Sequence, residues 1–220
     1  SFNTFLHTAT KYALLHSGSA LGEGVGPLLV AREPVDPANI DTLKIAVPGL
    51  NTTANLLLTL AYPQAKNKTA LVFSEIERAV LDGEYDAGLI IHESRFTYQQ
   101  KGLTKLIDLG DWWEQTTHAA IPLGGIVIRR SFDKELCAKV DSIIKESLAY
   151  SWRHYPELSS FVTENAQEME EEVMRKHINL YVNDYTKDLG EKGRSAIATL
   201  FEKAGVAGLL KEGMAGSIFY

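Results

Sequence analysis

Between Leu43 and His92 the sequence repeats one alternation: a short apolar run, a stretch of helical spacing, then another apolar run. "LKIAVPG" (Leu43–Gly49) is apolar throughout in character, as a strand covered on both faces requires. "LNTTANLLLTLAYP" follows, with Ala54, Leu57, Leu58 and Ala61 on one helical face. "TALVFS" reads as a second strand, "EIERAVLDGEY" as a short helix ended by Gly83, and "DAGLIIH" as a third strand. Strand, helix, strand, helix, strand in that order predicts an α/β unit with a parallel sheet.

Two further apolar strands bracket this unit, "GPLLVAR" and "LGGIVIRR", each ending in arginine before a loop of turn or capping residues. They read as two crossings of a hinge. Residues 42–121 then form an inserted lobe, residues 1–41 and 122–220 form the other, and a ligand cleft opens between them. At the start, "SFNTFLHTATKYALLH" reads as the last residue of a strand feeding an amphipathic helix, with Phe5, Thr8, Ala9, Tyr12 and Leu15 at helical spacing. An N-terminal strand segment is therefore expected upstream of Ser1. Leu103–Asp108 reads as a short strand and Trp112–Glu114 as a short helix. From Asp133 onward three helical stripes are expected: Leu136, Val140, Ile143, Ile144 and Leu148; Met169, Val173, His177 and Tyr181; Ala196, Ile197, Leu200, Phe201 and Ala204.

Charge narrows the ligand classes. The 220 residues carry a net charge of -6, and the basic residues are scattered, so the electrostatic footprint of a nucleic-acid binder is missing. A small organic ligand is the expected partner. The single Cys137 has no disulfide partner, which fits a reducing compartment. No apolar run approaches the ~20 residues that a bilayer span needs. No His and Cys spacing matches a metal site, and Gly22, Gly24 and Gly26 precede a strand rather than a helix, unlike a dinucleotide fingerprint.

Two stretches carry chemistry. "VPGLNTTANLLL" joins a strand to a helix, with Thr52 and Thr53 at the helix start. Unpaired N–H groups there suit a carboxylate or phosphate, and an N-cap role for Asn51 or Thr52 accounts for the same residues. "GLIIHE" puts His92 at the carboxyl end of an expected parallel strand, where ligands of open α/β sheets bind. Imidazole titrates close to neutrality, so His92 suits a general base; taken by itself, a histidine satisfied by a hydrogen bond at a strand end, with Glu93 opening the next helix, is the simpler account. Trp112 and Trp113 suit stacking on a planar ligand or packing between lobes, and His177, on a stripe with Met169, Val173 and Tyr181, reads as a core or interfacial histidine.

Taken in order, "ALGEGVGPLLVAR", "IAVPGLNTTANLLL", "GLIIHESRFTY", "LGDWWE", "IPLGGIVIRR" and "HINLYVNDYT" closely resemble the 1,4-dihydroxy-6-naphthoate synthase family of the futalosine route to menaquinone, over residues 1 to about 205. The resemblance implies a two-lobed, periplasmic-binding-protein-like (type II) fold. It further implies a cytoplasmic, cofactor-independent lyase that converts cyclic dehypoxanthinylfutalosine to 1,4-dihydroxy-6-naphthoate and dihydroxyacetone. On the same resemblance His92 is the proton acceptor, and Ser1, Thr52 and Thr53 contact the substrate. A solute-binding protein for a small anion and the related chorismate dehydratase are the alternatives on this fold. The tail "GSIFY" is expected to dock on its own domain or on a second subunit, the latter making a homodimer.

Overall fold

In the computed structural model, residues 1–165, 170–210 and 218–220 are described. Helix α1 (Phe2–Leu6) opens on Ser1, whose hydroxyl accepts from Thr4 N. Strands β1 (Tyr12–Leu14), β2 (Ala20–Gly22) and β3 (Leu28–Ala31) follow, then a 3-10 turn at Pro37–Thr42 and β4 (Ile45–Val47). Helix α2 (Thr53–Ala61), β5 (Lys68–Ala70), a 3-10 turn at Phe73–Glu75, α3 (Ile76–Leu81) and β6 (Ala87–Ile90) complete the alternation. Next come α4 (Ser94–Thr97), β7 (Thr104–Asp108), α5 (Leu109–Thr117), β8 (Ile121–Gly124) and β9 (Val127–Arg129). The rest is helical: α6 (Lys134–His154), α7 (Ser160–Asn165), α8 (Glu171–Tyr181), α9 (Asp184–Lys187) and α10 (Gly190–Val206).

The central sheet has the order β5-β4-β6-β3-β7. β4 pairs parallel with β5 and β6, as the alternation predicts. β3, however, inserts antiparallel between β6 and β7, so the sheet is mixed. All four residues of β3 are buried, which only an interior strand covered on both faces allows. Leu29 and Ala31 join the large core with α2, α5 and α10, while Leu28 and Val30 pack with Ile76 and Val80 of α3. β3, counted on sequence with residues 1–41, thus shares its sheet with strands of residues 42–121. The second group of strands consists of two short antiparallel pairs, β1 with β9 and β2 with β8.

Several local expectations give way to tertiary contacts. The helical spacing through Leu15 ends at Leu6, because Tyr12–Leu14 pairs with Val127–Arg129, a partner far along the chain that no local period reports. "IPLGGIVIRR" is two strands, since β8 and β9 take different partners. On α6 the stripe is rotated: Leu136 and Ile143 are exposed, and Cys137 and Asp141 are buried. A polar anchor sets that rotation, for the buried Asp141 carboxylate accepts from Ser17 N at 2.9 Å and Ser17 Oγ at 2.7 Å. A buried carboxylate is stable only when so satisfied. On α10 the expected stripe of Ala196, Ile197, Leu200, Phe201 and Ala204 is buried throughout. Met169 and the Gly216–Ser217 part of the tail lie outside the described residues. Ile218–Tyr220 dock on their own chain: Ile218 O accepts from Leu14 N, and the Tyr220 hydroxyl donates to Asp141 Oδ2.

One backbone approach sets the position of α5 against the segment that joins β2 to β3. A Cβ on Gly26 would lie 2.2 Å from both Cα and N of Gly110. Gly26→Ala must therefore separate two backbones, and it should lower the urea midpoint by the equivalent of about 3 kcal/mol, the upper end of ordinary overpacking costs. An unchanged midpoint in urea unfolding would contradict this packing.

Candidate active site

A cleft of about 440 Å³ lies where the first helix, the head of α2, the end of β6 and one face of α8 converge. Ser1, Thr52, Thr53 and His92, marked on sequence from three separate stretches, all line it, together with His177 and Tyr181. Its walls are mainly apolar, with Val25, Pro27, Ile91 and Leu123 among them.

The head of α2 follows from its sequence. Thr52 is the N-cap: its hydroxyl accepts from Asn55 N at 3.2 Å and donates to Gly49 O at 2.7 Å. Thr53 is buried, and its hydroxyl donates to Leu123 O at 2.6 Å while accepting from Phe2 N at 3.0 Å. A hydroxyl has one hydrogen to give, so both threonine side chains have committed theirs within the protein. From α1, Ser1 Oγ and Thr4 Oγ1 donate to Asn51 O, and Asn3 Nδ2 donates to Leu50 O and Thr52 O. The loop's carbonyls are thereby occupied. Thr53 and Ala54, in the first turn of α2, line the cleft, and N–H groups of a first turn have no partner within their own helix.

His92 follows β6 with φ +58, a left-handed conformation that non-glycine residues adopt at a cost. Backbone strain of this kind clusters at functional sites. Three residues on, Arg95 secures the corner. Its Nη2 donates to Asp108 Oδ2 at 2.6 Å and its Nη1 to Gly26 O. Both side chains of this ion pair are largely buried. Asp108 uses its other oxygen to cap α5 through Gly110 N and Asp111 N. The His92 ring lies edge-on to Phe73 at 5.6 Å and tilts toward His177 at 5.9 Å between centroids. It keeps an open surface, yet desolvation by these neighbours lowers its pKa below the ordinary histidine value, against an opposing pull from Glu93.

His177 and Tyr181, one turn apart on α8, line the cleft, where the sequence pointed to a core or interfacial histidine. Their rings lie 4.6 Å apart. Burial lowers the His177 pKa, with Glu93 raising it and His92 lowering it further. Burial raises the Tyr181 hydroxyl to about 12, and that hydroxyl donates to Val25 O at 3.4 Å. The available signal was the spacing of two titratable rings at i and i+4 within "HINLYVNDYT". Trp113, by contrast, is fully buried with Nε1 on Ala120 O, and Trp112 packs against the same core, so neither tryptophan lines the cleft. Among the described residues no group of three His, Cys, Asp or Glu side chains is arranged to hold a metal ion, and no helix is long and apolar enough to cross a membrane.

Comparison with known proteins places this geometry. A family model described as menaquinone biosynthesis matches residues 1–205. A 1,4-dihydroxy-6-naphthoate synthase of Thermus thermophilus is 42% identical over 209 residues, covering 95% of this chain and 76% of the relative. One from Streptomyces coelicolor is 41% identical over 215 residues, covering 96% and 76%. A crystal structure of a protein from Archaeoglobus fulgidus superposes with a TM-score of 0.88 at 35% identity, covering 94% of this chain and 76% of that one. The periplasmic aliphatic sulphonate binding protein of Escherichia coli superposes at 0.56 with 14% identity, covering 94% and 68%, which shows the fold alone. The architecture is the two-lobed periplasmic-binding-protein-like fold.

Thr53→Val tests the bridge at the head of α2. It leaves Phe2 N and Leu123 O without their shared partner, and unmade buried hydrogen bonds cost about 1–3 kcal/mol. The urea midpoint should fall by that amount, and Thr53→Ser, which keeps the hydroxyl, should recover most of it.

Proposed function

We propose, given that the chain belongs to the menaquinone biosynthesis family, that it converts cyclic dehypoxanthinylfutalosine to 1,4-dihydroxy-6-naphthoate and dihydroxyacetone, with His92 as general base. The observation that carries this reading is that His92 and the head of α2 open on one apolar cleft. Apolar walls suit a fused aromatic skeleton. The N–H groups of Thr53 and Ala54, at the positive end of the α2 dipole, suit its carboxylate. Thr52 and Thr53 act in this scheme by shaping the helix head, and Ser1 by holding the loop that precedes it.

His92 then meets the sugar-derived part of the substrate. Desolvation keeps the imidazole neutral at cellular pH, which is the form that accepts a proton. Removal of that proton starts the elimination that frees the aromatic product. Cleft closure excludes water and holds the substrate against the base. A cytoplasmic location follows from this biosynthetic role.

Incubating the protein with the cyclic substrate and detecting the naphthoate by mass spectrometry tests the reaction. Binding without turnover would point to a solute-binding protein, and turnover of chorismate to the dehydratase. For the base, His92→Asn should fold and bind substrate while turnover drops ~10²–10⁴-fold. Because the His92 pKa is lowered, the wild-type kcat/KM should rise with pH through a midpoint below the ordinary ~6.5 and level off above it. That limb should vanish in His92→Asn; a mutant retaining most of its activity would remove His92 from the chemistry.

A further inference from the structure

Across the cleft from His92 stands a second imidazole, His177 of α8, which the scheme above leaves unused. The two rings come from distant parts of the chain, one from the β6–α4 corner and one from the helical region that follows β9. Their centroids are 5.9 Å apart with planes tilted by 54°. His177 Nε2 is buried and has no hydrogen-bond partner. Buried ring nitrogens normally have one, and an orphan calls for an explanation.

The reaction itself asks for a second group. The substrate divides into an aromatic acid and a three-carbon fragment, so a proton removed at one atom must be returned at another. His92 sits where it can take a proton, but returning it to a separate atom calls for a donor at another position.

We propose that His177 is the second proton-transfer group of the cleft: it receives at the buried Nε2 the proton that His92 has taken and delivers one from its other ring nitrogen to the aromatic fragment. This rests on His92 being the base. In the first step His92 gains a proton and the electron pair of the broken bond passes into the substrate. As the carbon–carbon bond breaks, the pair left by the removed proton closes the carbonyl of the three-carbon fragment, the bond's own electron pair passes into the aromatic fragment, and the proton relayed through His177 neutralises it there. Both imidazoles are neutral again at the end, and nothing is oxidised or reduced.

The surroundings of His177 suit this task. From the facing corner Glu93 favours its charged form, while His92 and burial oppose it. On its own helix the Tyr181 hydroxyl stays protonated and neutral, with Arg95 and Asp108 acting on that hydroxyl from beyond. The imidazolium of His177 is therefore a stronger acid than an ordinary one and gives up its proton readily. Two imidazoles this close resist carrying charge together, so the pair holds one proton at a time.

The test uses the full chain with His177→Gln and His177→Asn, measuring kcat and KM separately from about pH 5 to 9. Loss of a general acid should lower kcat by ~10²-fold or more while KM stays within roughly threefold. The acid limb assigned to His92 should persist. Added imidazole should restore part of the activity of His177→Ala, a recovery that a purely structural role would not produce. Should either amide variant fold poorly by circular dichroism, the imidazole-rescued alanine variant supplies the same comparison. Wild-type kcat in folded His177→Gln beside inactive His92→Asn overturns the relay alone. A raised KM with unchanged kcat also overturns it. A fully active His92→Asn enzyme overturns both the base and the relay.

Discussion

The hydroxyl of Thr53 holds together three segments that the chain keeps far apart. It donates to Leu123 of β8 and accepts from Phe2 of α1, while its own residue begins α2. Each of these segments supplies part of the cleft wall. With the bridge in place, α1 lies close enough for Ser1, Asn3 and Thr4 to occupy the carbonyls of residues 50–52. The free N–H groups at the head of α2 are the remainder of that accounting. How the loop's carbonyls are used thus decides which backbone groups the helix head leaves over, since every buried polar group must find a partner.

A second set of contacts fastens the crossing segment between β2 and β3. Glu114 accepts from Gly24 N, Arg95 donates to Gly26 O, and Tyr181 donates to Val25 O. Gly26 itself touches Gly110, which only two glycines permit. These partners come from α5, α4 and α8, so the strap ties three elements together. The Arg95–Asp108 pair matters most, because breaking a buried pair from one side costs about 3–5 kcal/mol. It links the corner that carries His92 to the cap of α5.

The electrostatic character of the cleft follows from burial. Desolvation favours neutral imidazole at His92 and His177 and neutral phenol at Tyr181. These cleft-lining rings are therefore uncharged and stand between apolar walls.

The alternation of apolar runs and helical spacing from Leu43 to His92 determined the sheet unit, the place of α2 and the position of His92 at a strand end, because periods of two and 3.6 residues are local properties. The capping reading of Thr52 was legible for the same reason. Pairing partners were not legible. β3 entered the sheet antiparallel, the first helix stopped at Leu6, "IPLGGIVIRR" split in two, and α6 turned to bury Asp141 rather than Leu136. His177 and Tyr181 looked like core or interfacial residues on their helix, and only the approach of the β6–α4 corner made them walls of the cleft. Local spacing states which residues share a face; what that face meets depends on segments far along the chain, brought together by burial and by hydrogen bonds that no window of sequence contains.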